Sequence, residues 1–305
     1  MIEILEISEN ELIILNKTKK NCWINVFSPT EEEIQKLKKI IDIPEELLTS
    51  LKDIAEIPTI EEYPKFTFII IRSPYNNLRD DYEYYTVPVG IFLTDNLVLT
   101  LYYHENDVIP KLKKQRFPFR KTQLIFRLLL TSARLYLSYL NEINQKIYAI
   151  EKALEKSQKN EAIMRLLDIE KSLVYFSTSL KSNEILVERI EKEKILIKTY
   201  EDKKMIEKVI DENKQAIEMT KTYSSILVNT LDAFASVISN NLNIVMKFLA
   251  AVTIIIAIPT LIASVYGMNI GLPFQGSPQA FLIVIMMSLV GVLAAIFIFW
   301  KKKFF

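Results

Sequence analysis

Between Pro118 and Pro259 the chain runs for 140 residues without a single glycine or proline. Those two residues are the strongest local punctuators of backbone structure, so a globular stretch this long without either is confined to long helices. Two breaks are expected, near Ser157 to Asn160 and near Thr199 to Asp202, giving helices of about 36 and about 38 residues. A third helix then starts near residue 201 and, if unbroken to Tyr266, holds 66 residues and extends about 100 Å at 1.5 Å per residue. It ends in a nineteen-residue apolar run, Phe248 to Tyr266, and a second apolar run follows from Ala280 to Trp300. Each run is long enough to cross a hydrocarbon core of about 30 Å as a helix. Inside the first, Pro259 kinks a membrane helix without ending it.

The link between the runs, Gly267 to Gln279, contains no charged residue, whereas Lys247 precedes the first run and Lys301 to Lys303 follow the second. The excess of lysine on one side predicts that both termini face the cytoplasm and that the link lies outside. Of 38 basic and 37 acidic residues, nearly all precede residue 248, which leaves an ordinary globular balance there. A net charge of +1 gives no basic face for a nucleic acid. Residues 181 to 221 carry ten acidic and ten basic side chains, read as a solvated helical face laced with i,i+4 pairs. The one cysteine, Cys22, excludes an internal disulfide, and its apolar neighbours Trp23 to Phe27 make it a buried structural thiol. The opening Met1 to Glu6 is acidic and alternating, unlike a signal or transit peptide.

The chain divides by this reasoning into residues 1–118, a mixed α/β cytoplasmic domain, 119–247, long helices and stalk, and 248–305, a membrane hairpin. In the first part, Ile2-Ile4, Leu12-Ile14 and Trp23 to Phe27 predict short strands, and Phe66 to Ile71 a buried one. Val87 to Thr94 and Leu97 to Tyr103 predict a hairpin with Asp95-Asn96 in its turn. Thr30 and Glu33 have the spacing of a capping box ahead of Ile34, Leu37 and Ile40-Ile41.

Stepping four, three, four from Asp232 meets Ser236, Ser239, Asn243, Met246, Ala250, Thr253, Ala257, Thr260 and Ser264, and every position but Met246 is small or polar. Backwards, the same step meets Asn229, Ser225, Thr222 and Glu218. A 3.5-residue period turns one face along the axis of a left-handed bundle. Small residues on such a face can serve close helix packing alone. Polar groups within a membrane seam more often line water or a conducting path, and Asp232, Asn243, Thr253 and Thr260 fit that second reading better.

A path needs several copies of the face. Five or so such helices, an order-of-magnitude count, would enclose a narrow polar tube. At its outer end Gly267 is expected to end the helix in the left-handed conformation, freeing carbonyls that join the Asn269 amide oxygen in rings of neutral oxygens. Converging helix C-termini favour cations, and neutral oxygens can hold a hard ion such as Mg²⁺ through its waters. Met246 and Leu249 would form an apolar constriction able to gate by dewetting. Enzyme chemistry has no constellation here. No Walker A loop occurs among five glycines, His104 stands without a Cys or His cluster, and Asp80-Asp81 and Asp211-Glu212 read as solvated charge. No cofactor is expected.

The motif Tyr266-Gly267-Met268-Asn269 between two C-terminal spans, the stretch Ser239 to Lys247 before the first span, and the lysine-rich tail resemble the CorA family of magnesium and cobalt transporters. The layout is similar over the whole chain, and the specific motifs lie within residues 232–269. The resemblance implies a funnel-shaped homopentamer in a cell membrane, moving Mg²⁺, and also Co²⁺ or Ni²⁺, down the membrane potential. It implies a pore lined at Asn243, Met246 and Thr260, an acidic ring at Asp232, and Gly267, Met268 and Asn269 as the outer ion-binding motif. It also implies gating by intracellular Mg²⁺ at acidic residues, for which Asp80, Asp81, Glu207 and Asp211 are candidates. Many members carry a glutamate in the external loop, and here Ile270 to Gln279 holds no acid, so recruitment of cations from outside should be weaker. A related branch moves zinc, which makes Zn²⁺ transport one alternative, and a non-conducting membrane scaffold the other.

Overall fold

The computed structural model describes residues 1–8, 11–15, 18–77, 84–117, 120–154, 159–274, 276–302 and 304. They cluster in two compact units, Met1–Asn229 and Thr230–Phe305.

The first unit is built on a seven-stranded sheet of β1 (Ile2–Ser8), β2 (Glu11–Leu15), β3 (Cys22–Phe27), β4 (Thr59–Tyr63), β5 (Phe66–Asn76), β6 (Tyr84–Leu93) and β7 (Leu97–Tyr102), in the order β2-β1-β3-β7-β6-β5-β4. All neighbours are antiparallel except β3 and β7, which run parallel with Cys22 opposite Leu97 and Phe27 opposite Tyr102. The β6–β7 hairpin forms where alternation and the Asp95-Asn96 turn place it, with Thr94 N donating to Leu97 O at 2.9 Å. Helix α1 (Glu31–Lys38) carries the expected capping box, Glu33 N donating to Thr30 Oγ1 at 3.3 Å and Thr30 N to Glu33 Oε2 at 2.9 Å. Its Leu37 joins Leu47, Leu48 and Leu51, from α2 (Glu45–Ser50) and the residue after it, over Ile24, Val26, Phe68, Ile70 and Phe92 of the sheet. At Gly90 a Cβ would stand 2.5 Å from Leu51 Cδ1, so any side chain there would have to displace Leu51. Cys22 is buried in the same core, a structural thiol.

Three elements escape the sequence reading for physical reasons. β4 is an edge strand with Glu61 and Glu62 exposed, so it lacks a clean apolar alternation. α2 follows Pro44 with no side-chain cap. In α3 (Val108–Lys113), Pro110 occupies the first turn, where the missing N–H costs no helical hydrogen bond.

The Gly- and Pro-free stretch forms α4 (Lys121–Leu154), α5 (Lys159–Glu193) and most of α6 (Tyr200–Tyr266), of 34, 35 and 67 residues. Of the first expected break, residues 157 and 158 lie outside the described residues, and Lys159 and Asn160 already belong to α5. The second opens earlier than expected, because Lys194 takes φ 53° and ends α5. It also closes earlier, since α6 begins at Tyr200; Asp202 in its first turn fastens the start, its Oδ2 accepting from Lys198 N at 3.2 Å and Thr199 N at 3.0 Å, while its own N–H donates to Thr199 Oγ1 at 3.2 Å. α4 and α5 pack across β5 and β6, and Arg72 of β5 fastens them. Its guanidinium donates to Thr86 Oγ1 at 2.7 Å, Ser179 Oγ at 2.9 Å and Glu56 O at 3.0 Å, while Tyr136 OH donates to Arg72 O at 3.0 Å. Burial lowers the Arg72 pKa and raises that of Tyr136.

The second unit holds the rest of α6 and α7 (Ala280–Lys301), both long and apolar enough to cross a membrane. Pro259 lies within α6 and does not end it.

Candidate functional site

Within the hairpin, α7 meets one face of α6. Gly291 sits against Ile258 and Ile262, so close that a Cβ would fall 2.8 Å from Ile258 Cγ2, and Ala251 and Ala295 are buried. At about 100° per residue, Thr260 lies about 160° around the helix from Ile258. The small and polar stripe therefore points away from α7. Every member of it, Asp232, Ser236, Ser239, Asn243, Met246, Ala250, Thr253, Ala257, Thr260 and Ser264, is exposed in the single chain, as is Leu249. Small residues that served only the packing of this hairpin would sit on the opposite face.

Two hydroxyls on the stripe have defined orientations. Thr253 Oγ1 donates to Leu249 O at 2.8 Å and Thr260 Oγ1 to Ile256 O at 3.1 Å. With each proton spent on the helix's own carbonyl, the oxygens offer lone pairs outward. Such acceptors suit a cation or the protons of its hydration waters. Asn243 and Asn269 add exposed amides at either end of the span, and Met246 is exposed by 56 %.

The outer end of α6 differs from expectation. Gly267 has no positive φ, and its N–H continues the helix to Ala263 O at 2.9 Å, with Met268 N closing a tighter turn on Val265 O at 3.3 Å. The helix thus frays through a 3₁₀-like turn, for which a left-handed glycine is unnecessary. Gly267, Met268 and Asn269 are all exposed. The positive φ appears instead at Phe274 (67°), in the tip, where Ser277 N donates to Phe274 O at 3.1 Å.

The family described as CorA-like Mg²⁺ transporter protein matches residues 18–303. The chain belongs to that family. It is 30 % identical over 289 residues to the cobalt/magnesium transport protein CorA of Methanocaldococcus jannaschii, covering 92 % of this chain and 90 % of the relative. The complete structure of the CorA magnesium transporter from that organism superposes with a TM-score of 0.88 at 28 % identity, over 100 % of this chain and 99 % of that one. The cytoplasmic domain of ZntB from Vibrio parahaemolyticus matches with a TM-score of 0.63 at 11 % identity, over 78 % of this chain and 98 % of that one, a likeness of fold alone.

Of the four acidic residues offered as candidates for Mg²⁺-dependent gating, Glu207 and Asp211 are exposed one turn apart on α6, and Glu207 pairs with Lys203 at 3.8 Å. Asp80 and Asp81 lie outside the described residues. Among the described residues no group of three or more His, Cys, Asp or Glu side chains is placed to hold a metal within one chain. His104 lies just past β7 as a loop-end histidine, its Nε2 3.1 Å from Lys52 O. The sequence reading passed over the half-buried Arg72 hub, whose partners Thr86 and Ser179 lie 14 and 107 residues away in the chain and leave no local pattern.

Proposed function

We propose that this chain is the protomer of a membrane channel for divalent cations, Mg²⁺ first and Co²⁺ or Ni²⁺ with it. The supporting observation is the stripe from Asp232 to Ser264. It is polar inside an apolar segment, unused by α7, and furnished with outward lone pairs at Thr253 and Thr260. One copy supplies each oxygen once, and no acidic metal cluster exists among the described residues of one chain, so a cation path calls for several copies around an axis. A homopentamer is the assembly we infer, with Gly267, Met268 and Asn269 at the outer mouth, Asp232 ringing the inner vestibule, and Met246 with Leu249 as the constriction. Both termini face the cytoplasm in this reading, since lysines flank the hairpin on that side alone.

No energy-coupling machinery is required. Moving two charges down the membrane potential releases roughly 4.6 kcal/mol per 100 mV, more than about a thousandfold in equilibrium ratio. Closing is assigned to rising intracellular Mg²⁺, with Glu207 and Asp211 as the acidic residues of α6 to test. The relative named for cobalt and magnesium transport resembles the chain in sequence, whereas the ZntB cytoplasmic domain resembles it in fold only. Purified protein in liposomes should pass Mg²⁺ and Co²⁺ under an inside-negative potential, at a rate indifferent to a pH gradient. A membrane passing no divalent ion would replace the channel with a scaffold, and flux confined to Zn²⁺ and driven by protons would replace the ion.

A further inference from the structure

Helix α4 and the start of α6 run side by side, and three hydrogen bonds fix which faces meet. Arg120 Nη1 donates to Glu201 Oε2 at 2.6 Å, Thr122 Oγ1 to Asp202 Oδ1 at 3.0 Å and Arg134 Nε to Glu212 Oε1 at 3.1 Å. Steps of seven place Arg120, Arg127 and Arg134 on one line of α4, because seven residues fall only about 20° short of two turns. Across from them, steps of four, three and four place Glu201, Met205, Lys208 and Glu212 on one face of α6. The first and last arginines of the line each meet a glutamate. The middle one, Arg127, stands opposite Met205 and Lys208 and meets none.

Arg127 is half-buried, its guanidinium carbon 4.6 Å from the centre of the buried Phe117 ring, a contact that steadies the fork. Its Nε is sealed from solvent, whereas Nη1 and Nη2 reach solvent and have no partner in the protein. Those two outer nitrogens are the ones a ligand can use. Burial and the nearby Arg134 charge both lower the Arg127 pKa, and no carboxylate opposes them. Pro118 and Phe119, which follow the ring in sequence, carry no charge. Lys208 is exposed, and among the described residues it forms no ion pair. The notch is therefore positive and lacks an anion of its own, so a metal ion is repelled from it. A phosphate group brings about two negative charges and three free oxygens, enough for both nitrogens of the fork and the lysine ammonium together. A carboxylate brings one charge and two oxygens, and fits less fully.

We propose that this α4–α6 notch binds a phosphate group between Arg127 and Lys208, carried either by inorganic phosphate or by a nucleotide. Full-length protein in a non-ionic detergent and magnesium-free buffer, titrated calorimetrically with sodium phosphate, ATP and adenosine at fixed ionic strength, tests it. Saturable binding of phosphate or ATP is expected, with adenosine silent. ATP binding without phosphate binding assigns a nucleotide as the source, and equal affinities assign the phosphate group alone. Arg127→Gln should weaken binding at least about tenfold and abolish the rise in melting temperature that the ligand gives the parent. Lys208→Gln alters an exposed side chain, so it should weaken binding at least about threefold with the ligand-free melting temperature unchanged. If Arg127→Gln lowers that melting temperature, Lys208→Gln alone decides. The proposal is overturned if neither anion binds, if adenosine binds as tightly as ATP, or if binding is unchanged by Lys208→Gln or by a stably folded Arg127→Gln. Should neither anion bind while Arg127→Gln separates the copies in light scattering, the notch is a contact between copies instead.

Discussion

Helix α6 has two faces on one 3.5-residue period, and they are spent differently. In its first part, Asp202, Ile206, Val209, Asn213, Ala216, Thr220 and Leu227 are buried in the α/β unit. Their polar groups meet partners there, Asn213 Nδ2 donating to Leu180 O at 3.1 Å and Asp202 Oδ1 accepting from Thr122 Oγ1 at 3.0 Å. On the other face Glu218, Thr222, Ser225 and Asn229 are exposed, and the same phase continues through Asp232 to Ser264 with every member exposed. The periodicity alone does not distinguish the two faces. What separates them is the partner. The buried seam is closed by the chain's own α/β unit, whereas the polar stripe is exposed in the single chain and, in the proposed channel, faces other copies of the helix and water. A seam that is filled contributes stability, and a polar one left open inside a membrane is a place for an ion.

The largest effect that would break this comparison is expected at Asn269. Asn269→Ala removes one amide oxygen from each copy of the mouth, and the protein should still assemble while losing most Mg²⁺ uptake in proteoliposomes. Near-normal flux would separate Asn269 from the path. Met246 comes next, as the one large apolar member of the stripe, exposed by 56 % in the single chain. Met246→Asn should wet the constriction, so that currents persist at internal Mg²⁺ concentrations that close the parent. If the variant conducts and closes like the parent, Met246 packs between helices and the gate is elsewhere.

A paired substitution sharpens the contrast between the faces. Asn213→Ala takes the partner from a buried carbonyl and should cost about 1–3 kcal/mol in stability, seen as a lower melting temperature, with flux per folded protein unchanged. Asn243→Ala should do the reverse, leaving the melting temperature alone and altering flux. Equal stability losses at both positions would mean that the stripe is a packing seam like the other.

Much of this was legible from residues alone, and the limits have physical causes. The absence of glycine and proline after Pro118 predicts the three long helices, and the break expected near Thr199 to Asp202 falls a few residues earlier, between Glu193 and Tyr200. Capping box and hairpin are local devices, so they too are readable in sequence. The parallel pairing of β3 with β7 joins segments 75 residues apart (Cys22 with Leu97), and nothing local announces it. The same holds for Arg72, whose side chain meets Glu56, Thr86 and Ser179 through the fold rather than through any motif. For the site, the stripe and its exposure follow from period and composition. The conformation of Gly267 does not, because a helix can end in a tightened last turn as readily as in a left-handed residue.

That correction sets the smallest expected effect. A left-handed Gly267 would make Gly267→Ala costly through backbone strain, but the residue has no positive φ and its N–H still bonds Ala263 O at 2.9 Å. An alanine Cβ there would lie 3.3 Å from Ala263 O and 3.6 Å from Ser264 O, a contact relieved by a few tenths of an ångström. The variant should therefore assemble with the parent's melting temperature. Any loss of flux should be well below that of Asn269→Ala, and should come from methyl groups crowding the mouth rather than from a refolded loop. Gly267→Ser, which adds one more heavy atom than alanine at the same place, should then lose more flux than Gly267→Ala at equal stability. A melting temperature that falls with both substitutions would point instead to a backbone at Gly267 that only glycine can adopt in the assembled protein, and would restore the left-handed helix end.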